Sequence, residues 1–490
     1  MTNFLRKGRL KPLERNVLSY TSSLKSDLPL FNHVIKINHA HVLMMIEQKI
    51  IDSTHGTMLL KALDSIKKNN IDSSHEDIHM YVEEEVTKRV GSIVGGNLHI
   101  AKSRNDQVST AIRMELREKL IRLISSIIEL QSSMNSLAEK HTKTIFPGYT
   151  HLQPAQPVTF CHYLISYIDS FGRDIQRLQN AYHGVNLSPM GACALATTSF
   201  KINRNRVSNL LGFDDLLENS IDAVSSRDFL LETMAALTVL AINISQIAED
   251  LIIWSSLDFG LIELPDDFAS TSSIMPQKKN PDVIEVIRSR MANILGNFLS
   301  CATAIRTLPS SYNLDVQETT PILWSSLDTI EKAIQMLSNL FPKLKINNEA
   351  MNKPHFNLIT STELANILTR KYGIPFRTSH KIIGTLCRYI IENSLTVTNV
   401  TPALLSKIIA EVSGHQLTIN INDIKSALEP TNFIEAHAVI GGPSPIEAKR
   451  MLESRRQRMD ALTNWLTTVK KKLAEADRQL KTSKIHYFPK

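Results

Sequence analysis

Residues 272–285 read SSIMPQKKNPDVIE, bringing two serines, a glutamine, two adjacent lysines, an asparagine and two acids together between stretches patterned as helices. Asn280 followed by Pro281 reads as an N-cap with proline at the first helical position, and Asp282 adds negative charge to the first turn. The loop ahead of that helix start is suited to an anion, which backbone N–H groups, Lys278 and Lys279 can hold. A helix start accounts for residues 280–282. It leaves Ser272, Ser273, Gln277 and both lysines without a structural reason.

Two other polar breaks have the same character. SRNDQ, residues 103–107, opens a long helical pattern with polar side chains, among them Arg104 and Asn105. GYTHLQ, residues 148–153, places Thr150 and His151 after a Gly-Tyr turn. A lone loop histidine is more often structural than catalytic, so His151 gains weight only from its company. HEDIH, residues 75–79, satisfies the H-E-x-x-H zinc-protease pattern, in which two histidines one helical turn apart bind metal beside a glutamate base. The pattern is short, Val82 stands where the metzincin continuation needs glycine, and no third ligand is evident. No metal is therefore expected.

The elements that must position these residues are helices. Glycine is scarce, at 17 of 490 residues, and apolar residues return every three or four positions over residues 108–143, 161–186, 226–257, 282–305 and 322–340. The stretch 226–257 is apolar on almost every side, so it must be buried among other helices. Residues 146–160 break the pattern with three prolines and a glycine. Shorter helices before residue 100 and after about residue 350 suggest an N-terminal helical domain over 1–105, a central long-helix bundle over 106–350 and a C-terminal helical domain over 351–490.

The formal charge of +7 lies entirely in residues 446–490, which hold twelve basic and five acidic side chains. The body balances at zero and does not read as a nucleic-acid binder. In that basic tail Leu462, Leu466, Val469, Leu473, Ala476 and Leu480 mark an amphipathic helix packing on the body or on a neighbouring chain, its basic face either solvated or a nucleic-acid or partner site. Cys161, Cys193, Cys301 and Cys387 are far apart and read as free thiols. The longest clean apolar run, residues 234–244, is too short to cross a bilayer, and MTNFLRKGRL at the amino terminus has no signal-peptide core, so the expected compartment is the cytoplasm, without a membrane.

Taken together and in this order, SRNDQV, GYTHLQPAQPVTF, NSIDAVSSRDF, SSIMPQKKNPD and YNLDVQE resemble the fumarase/aspartase superfamily, and the MPQKKNPD form is similar to its argininosuccinate lyase branch. The resemblance runs from about residue 9 to about residue 442. It implies an all-α, three-domain lyase fold whose long central helices build a twenty-helix core in a homotetramer, with each active site assembled from loops of three chains. It also implies the reversible elimination of arginine from argininosuccinate to leave fumarate, the last step of arginine biosynthesis, without metal or organic cofactor.

Elimination next to a carboxylate needs a base, a stabiliser for the resulting dianion and an acid for the nitrogen leaving group. Matched motif to motif, Ser272 falls on the family's base, and Lys278 and Asn280 on the residues that grip the reacting carboxylate. His151 falls on the active-site histidine and Glu285 on the carboxylate that pairs with it. Ser23, Arg104, Asn105, Thr150, Tyr312 and Gln317 match substrate-contacting positions, and Asp77 and His79 match an element beside the site. Arg227, in SSRDF, reads as a weaker candidate or as an ion-pair partner of Asp228. The sequence departs from the pattern at Thr271, where glycine is common, and at Ile100 and Lys102, where threonine and arginine are common. Leu314 and Thr320 replace cationic residues, which weakens the expectation for the arginine end of the substrate. A sibling lyase releasing fumarate from another succinyl-nitrogen compound, and a non-catalytic crystallin-like homologue, are the alternatives.

Overall fold

The computed structural model describes residues 14–68, 71 and 75–487. The amino-terminal decapeptide and residue 9, where the resemblance begins, lie outside the described residues. Each expected helical stretch forms, and the labels used below follow chain order: α1 (Phe31–Glu47), α2 (Ser53–Ser65), α3 (Ile78–Gly95), α4 (Arg104–Lys140), β1 (Ile145–Thr150), β2 (Gln153–Thr159), α5 (Phe160–Val185), α6 (Asp228–Ser255), β3 (Ser270–Thr271), β4 (Lys279–Asn280), α7 (Asp282–Ile305), α8 (Thr319–Leu340) and α9 (Pro445–Ile485).

The start of α4 is decided by side chains. Ser103 Oγ accepts from the backbone of Asn105 while Asp106 accepts from the Ser103 N–H at 3.0 Å, a reciprocal capping box. Leu116, Leu120, Ile124 and Ile127 then bury fully at helical spacing, and each such side chain contributes roughly 1.5–3 kcal/mol. They pack α4 against α5 and α8, while α6 lies along α5 and α7. Among the described residues, α6 is the one helix long and apolar enough to span a membrane. Here Met234, Leu237, Leu240, Ile244 and Leu251 fill the core between helices.

One apolar cluster runs continuously from α1, α2 and α3 into the long bundle. A second cluster, with Leu364, Ile382, Leu386, Leu405, Ile409 and Ile424, joins helices Ser361–Tyr372, Phe376–Glu392, Pro402–Ser413 and Ile421–Leu428. The chain then returns to the first body as α9. Leu466 and Leu480 join the main cluster, and Leu462, Val469 and Leu473 pack against it. Helix α9 is tied down by ion pairs at intervals: Arg455 to Asp169 at 2.6 Å, Asp477 to Lys36 at 2.8 Å and Lys484 to Asp64 at 2.5 Å.

Candidate active site

The matched residues fall into three groups on the folded chain. The first forms where the N-terminal helices meet the start of α4. Asp77 caps α3 by accepting from Met80 N at 2.8 Å and also takes a hydrogen bond from Arg104 Nη1. Ser23 Oγ donates to Asp27 Oδ2 at 2.6 Å, and Gln317 Nε2 donates to the Thr21 carbonyl at 3.0 Å, drawing the loop ahead of α8 onto this corner. Burial lowers the Arg104 guanidinium and raises the Tyr312 phenol, and the two are near enough to feel each other's charge, as Tyr312 also feels Arg227 and both feel Asp27. Asn105 points to the side and donates to the Ala194 carbonyl at 3.1 Å.

Asp27 belongs to this corner although the sequence reading passed over it. Burial pushes its carboxyl up to about 6, against the opposing pull of the Ser23 hydroxyl, the Ile78 N–H and Arg104. The available signal was its place one helical turn after Ser23. His79 is buried, and burial together with nearby Lys102 drops its imidazole to about 3, so it stays neutral and cannot exchange protons near pH 7.

The zinc pattern at residues 75–79 fails for a geometric reason. The helix begins at Ile78 with Asp77 as its cap, so His75 stands outside it and the two histidines share no helical face. His75 Nε2 instead faces Glu84 at 3.4 Å. A separate group, His33, Glu115 and Glu118, brings ligand-type atoms within 4.8 Å of each other, but Lys119 and Arg122 also lean on Glu115 at 4.0 and 3.8 Å. Its carboxylate is already shared among cations.

The second group is a hairpin tip. The proline-rich break at residues 146–160 forms two antiparallel strands, β1 and β2, closed by the pair Thr150 and Gln153. The two residues between them, His151 and Leu152, have φ of 56° and 58°. Two positive φ values are the mark of a type I′ turn, which usually takes Asn-Gly. Here a histidine and a leucine occupy it, and both are exposed. The ladder shifts register between Pro147 and Tyr149, where a Cβ on Gly148 would stand 2.6 Å from the Gln156 carbonyl, so only glycine fits the bulge. Tyr149 anchors the hairpin against Phe259 and Phe356.

The third group is the segment that opened the sequence reading, and it too is a hairpin. β3 pairs antiparallel with β4, Ser270 with Asn280 and Thr271 with Lys279. The N-cap expectation for Asn280 is thereby corrected: Asn280 lies in the ladder, Pro281 precedes the first helical residue, and no side chain caps α7. Thr271 sits in extended backbone that a β-branched residue favours. The two lysines part company. Lys279 folds back onto the Leu264 carbonyl at 2.5 Å and Asp266 at 2.7 Å, whereas Lys278 is exposed. Ser272 Oγ accepts from Met275 N at 3.1 Å and more weakly from Ile274 N at 3.4 Å. Glu285 is exposed in the first turn of α7.

Among the described residues, no hydrogen bond or ion pair joins these three groups to one another. Arg227 is buried, its Nη1 donating to the Ser226 carbonyl at 2.8 Å, while Nε and Nη2 have no hydrogen-bond partner among the described residues. The expected ion pair with Asp228 does not form.

Comparison with known proteins settles the ancestry. The family model described as lyase matches residues 34–296, and the one described as argininosuccinate lyase C-terminal matches residues 358–435. The argininosuccinate lyase of Methanocaldococcus jannaschii is 44% identical over 465 residues, covering 94% of this chain and 95% of that protein. That of Methanosarcina barkeri is 42% identical over 476 residues, covering 96% of each. The chain belongs to the argininosuccinate lyase family.

Among solved structures, EDDS lyase in complex with formate superposes with a TM-score of 0.88 at 28% identity, over 96% of this chain and 94% of that one. The class II fumarase of Schistosoma mansoni, at 16% identity and a TM-score of 0.69 over 82% of this chain and 90% of that one, shares the fold. The two positions expected to bear on the arginine end of the substrate, Leu314 and Thr320, differ in kind. Leu314 is half exposed, whereas Thr320 is 3% exposed at the buried start of α8. A long cation at position 320 would have to leave the core that Thr320 fills.

Proposed function

We propose that this chain catalyses the reversible elimination of arginine from argininosuccinate, releasing fumarate, as a cytoplasmic homotetramer that needs neither metal nor organic cofactor. The observation that carries the base assignment is the setting of Ser272. Two backbone N–H groups of its own turn point at Oγ, and hydrogen bonds to the charged form favour an alkoxide that a serine in water does not sustain. Ser272 then takes the proton from the carbon next to the substrate carboxylate, and Lys278 and Asn280 hold the dianion that forms. The C–N bond breaks, the C–C double bond of fumarate forms, and the departing guanidine nitrogen takes a proton. His151, oriented by Glu285, serves that end. Arg104, Asn105, Thr150, Ser23, Tyr312 and Gln317 bind the remaining carboxylates and polar groups, since the arginine fork suits carboxylates. Asp77 and His79 shape the wall behind Arg104.

The shared-site reading is supported by the lack, among the described residues, of any hydrogen bond or ion pair joining the three groups on one chain, and by apolar side chains left exposed on the long helices. Leu295 and Leu299, one turn apart on α7, are exposed apolar side chains, as are Ile242 on α6 and Met336 on α8, two helices that pack against α7. Apolar side chains left exposed in this way suit a protein interface. The cysteines Cys161, Cys193, Cys301 and Cys387 are free, in keeping with a reducing compartment.

A sibling activity on another succinyl-nitrogen compound is the second reading, favoured by the apolar side chain at Leu314. Fumarate release from argininosuccinate, adenylosuccinate and aspartate, measured in parallel, separates the two. Release from argininosuccinate alone, abolished by Ser272→Ala in an intact tetramer, is the expected result. Substantial turnover by Ser272→Ala would reject the base assignment, and release from another compound would reject the substrate. A folded tetramer silent on all three would favour the crystallin-like alternative.

A further inference from the structure

Lys102 is the residue the proposed chemistry leaves unused and the fold can least ignore. Its side chain is buried, and its ammonium donates to Asn38 Oδ1 on α1. Glu83 on α3 and Asp106 on α4 face it with negative charge. It also faces His41 on α1 and His79 on α3, two fully buried imidazoles that burial, and then the nearby ammonium, hold down to about 3. His99, three residues upstream, pairs with Glu83 at 3.0 Å. Asp106 is not free to move toward the lysine, because its carboxylate already accepts from the backbone of Ser103, Gly191 and Cys193. One ammonium therefore sits at the junction of α1, α3 and α4, one residue before the Ser103 cap and two before Arg104.

We infer that Lys102 is a positioning residue for the proposed elimination: pinned to Asn38 and held between Glu83 and Asp106, its ammonium fixes the first turn of α4 against α1 and α3 and so aims Arg104 and Asn105. This rests on the lyase reading given above. A lysine in this place differs from an arginine in one respect that matters, because it can lose its charge within the working range. Burial lowers the ammonium to about 8. Above that pH the junction loses its cation while Glu83 and Asp106 keep their negative charge. The sign for stability runs the other way: a buried lysine whose proton is held less tightly in the folded state costs stability below pH 8, and the cost is relieved as pH rises. Loss of activity through this route is not unfolding.

The test is the pH profile of fumarate release in the wild type, Lys102→Arg, Lys102→Met and Asn38→Asp, together with hydrogen exchange of the amides at 103–107 corrected for intrinsic rate. In the wild type, KM rises up to about tenfold per pH unit above pH 8, kcat changes little, and amide protection at 103–107 falls over the same range. Lys102→Arg carries both plateaus past pH 9, Asn38→Asp moves them upward by giving the ammonium an anion, and Lys102→Met shows the raised KM already at neutral pH. An alkaline limb and protection profile identical in the wild type and Lys102→Arg would overturn the inference. So would a wild-type KM and wild-type protection in Lys102→Met. The exchange measurement needs no substrate, so a chain that releases no fumarate would sink the lyase reading while amide protection still decides the role of Lys102.

Discussion

Asp77 serves two helices at once, accepting from Met80 N to cap α3 and from Arg104 Nη1 to hold the first turn of α4. Removing its carboxylate loses a cap, worth about 1 kcal/mol, and leaves a largely buried guanidinium without its nearest anion, which costs a further few kcal/mol. Asp77→Asn keeps the cap acceptor and loses only the charge. Thermal melts should therefore rank the wild type above Asp77→Asn and Asp77→Asn above Asp77→Ala. Fumarate release should fall at least tenfold in both variants. Equal activity in Asp77→Asn and the wild type would show that Arg104 is held by other means.

The adjacent lysines of the 272–280 hairpin should separate cleanly. Lys278 is exposed and makes no hydrogen bond through its side chain among the described residues, so Lys278→Met should leave the melting temperature unchanged and remove most activity. Lys279 anchors the hairpin to Leu264 and Asp266. Lys279→Met should loosen that anchor, raising KM and sensitivity to proteolysis within the loop while retaining measurable kcat. The reverse pattern would mean that the lysine facing the substrate has been misassigned.

Asp27 gives a stability signature with a definite sign. Its folded-state carboxyl lies near 6 against an ordinary 3.8, so the stability it contributes is fully present below about pH 4 and is lost as pH rises through 6. Asn at this position keeps an acceptor for the Ser23 hydroxyl and cannot ionise, and Asp77 still accompanies Arg104. Each pH unit of displacement is worth about 1.4 kcal/mol. Asp27→Asn should match the wild type near pH 4, become more stable through pH 6 and level off at an advantage of up to about 3 kcal/mol. Denaturant titrations at a series of pH values measure that gap, and a gap independent of pH would show that the carboxyl is not displaced.

The sequence carried the long helices because apolar spacing is a local property: residues 282–305 were read with the bounds that α7 shows, and SRNDQ announced the cap of α4. It did not carry the two hairpins. Pro147, Pro154 and Pro157 made residues 146–160 look like an irregular break, yet Pro147 and Pro157 face each other across a two-stranded ribbon with, among the described residues, no neighbouring strand to demand their missing N–H groups. The N-cap reading of Asn280 failed because Asn280 itself pairs with Ser270 across the hairpin, a contact that helix-start rules do not weigh. Asp27 stayed out of view, and Lys102 showed only as a departure from a motif, for a different reason. Their significance comes from burial beside groups on other helices, and a short motif records nothing of what packs against it.

The basic tail poses a question that its charge alone answered poorly, and two of its arginines can settle it. Arg455 Nε and Nη2 grip Asp169 on α5 at 2.9 and 2.6 Å, and its side chain is largely covered. Arg478 is exposed and, among the described residues, pairs only with Glu475 on its own helix. Paired, bidentate and partly desolvated arginines contribute more than exposed pairs, whose median is about 0–1 kcal/mol. Arg455→Ala should lower stability by about 1–3 kcal/mol, whereas Arg478→Ala should change it by less than about 0.5 kcal/mol. If the positive face instead served a polyanion, both variants would keep the wild-type melting temperature and both would weaken retention on heparin at low salt. Loss of stability confined to Arg455→Ala assigns the charge of the tail to fastening α9 onto the body.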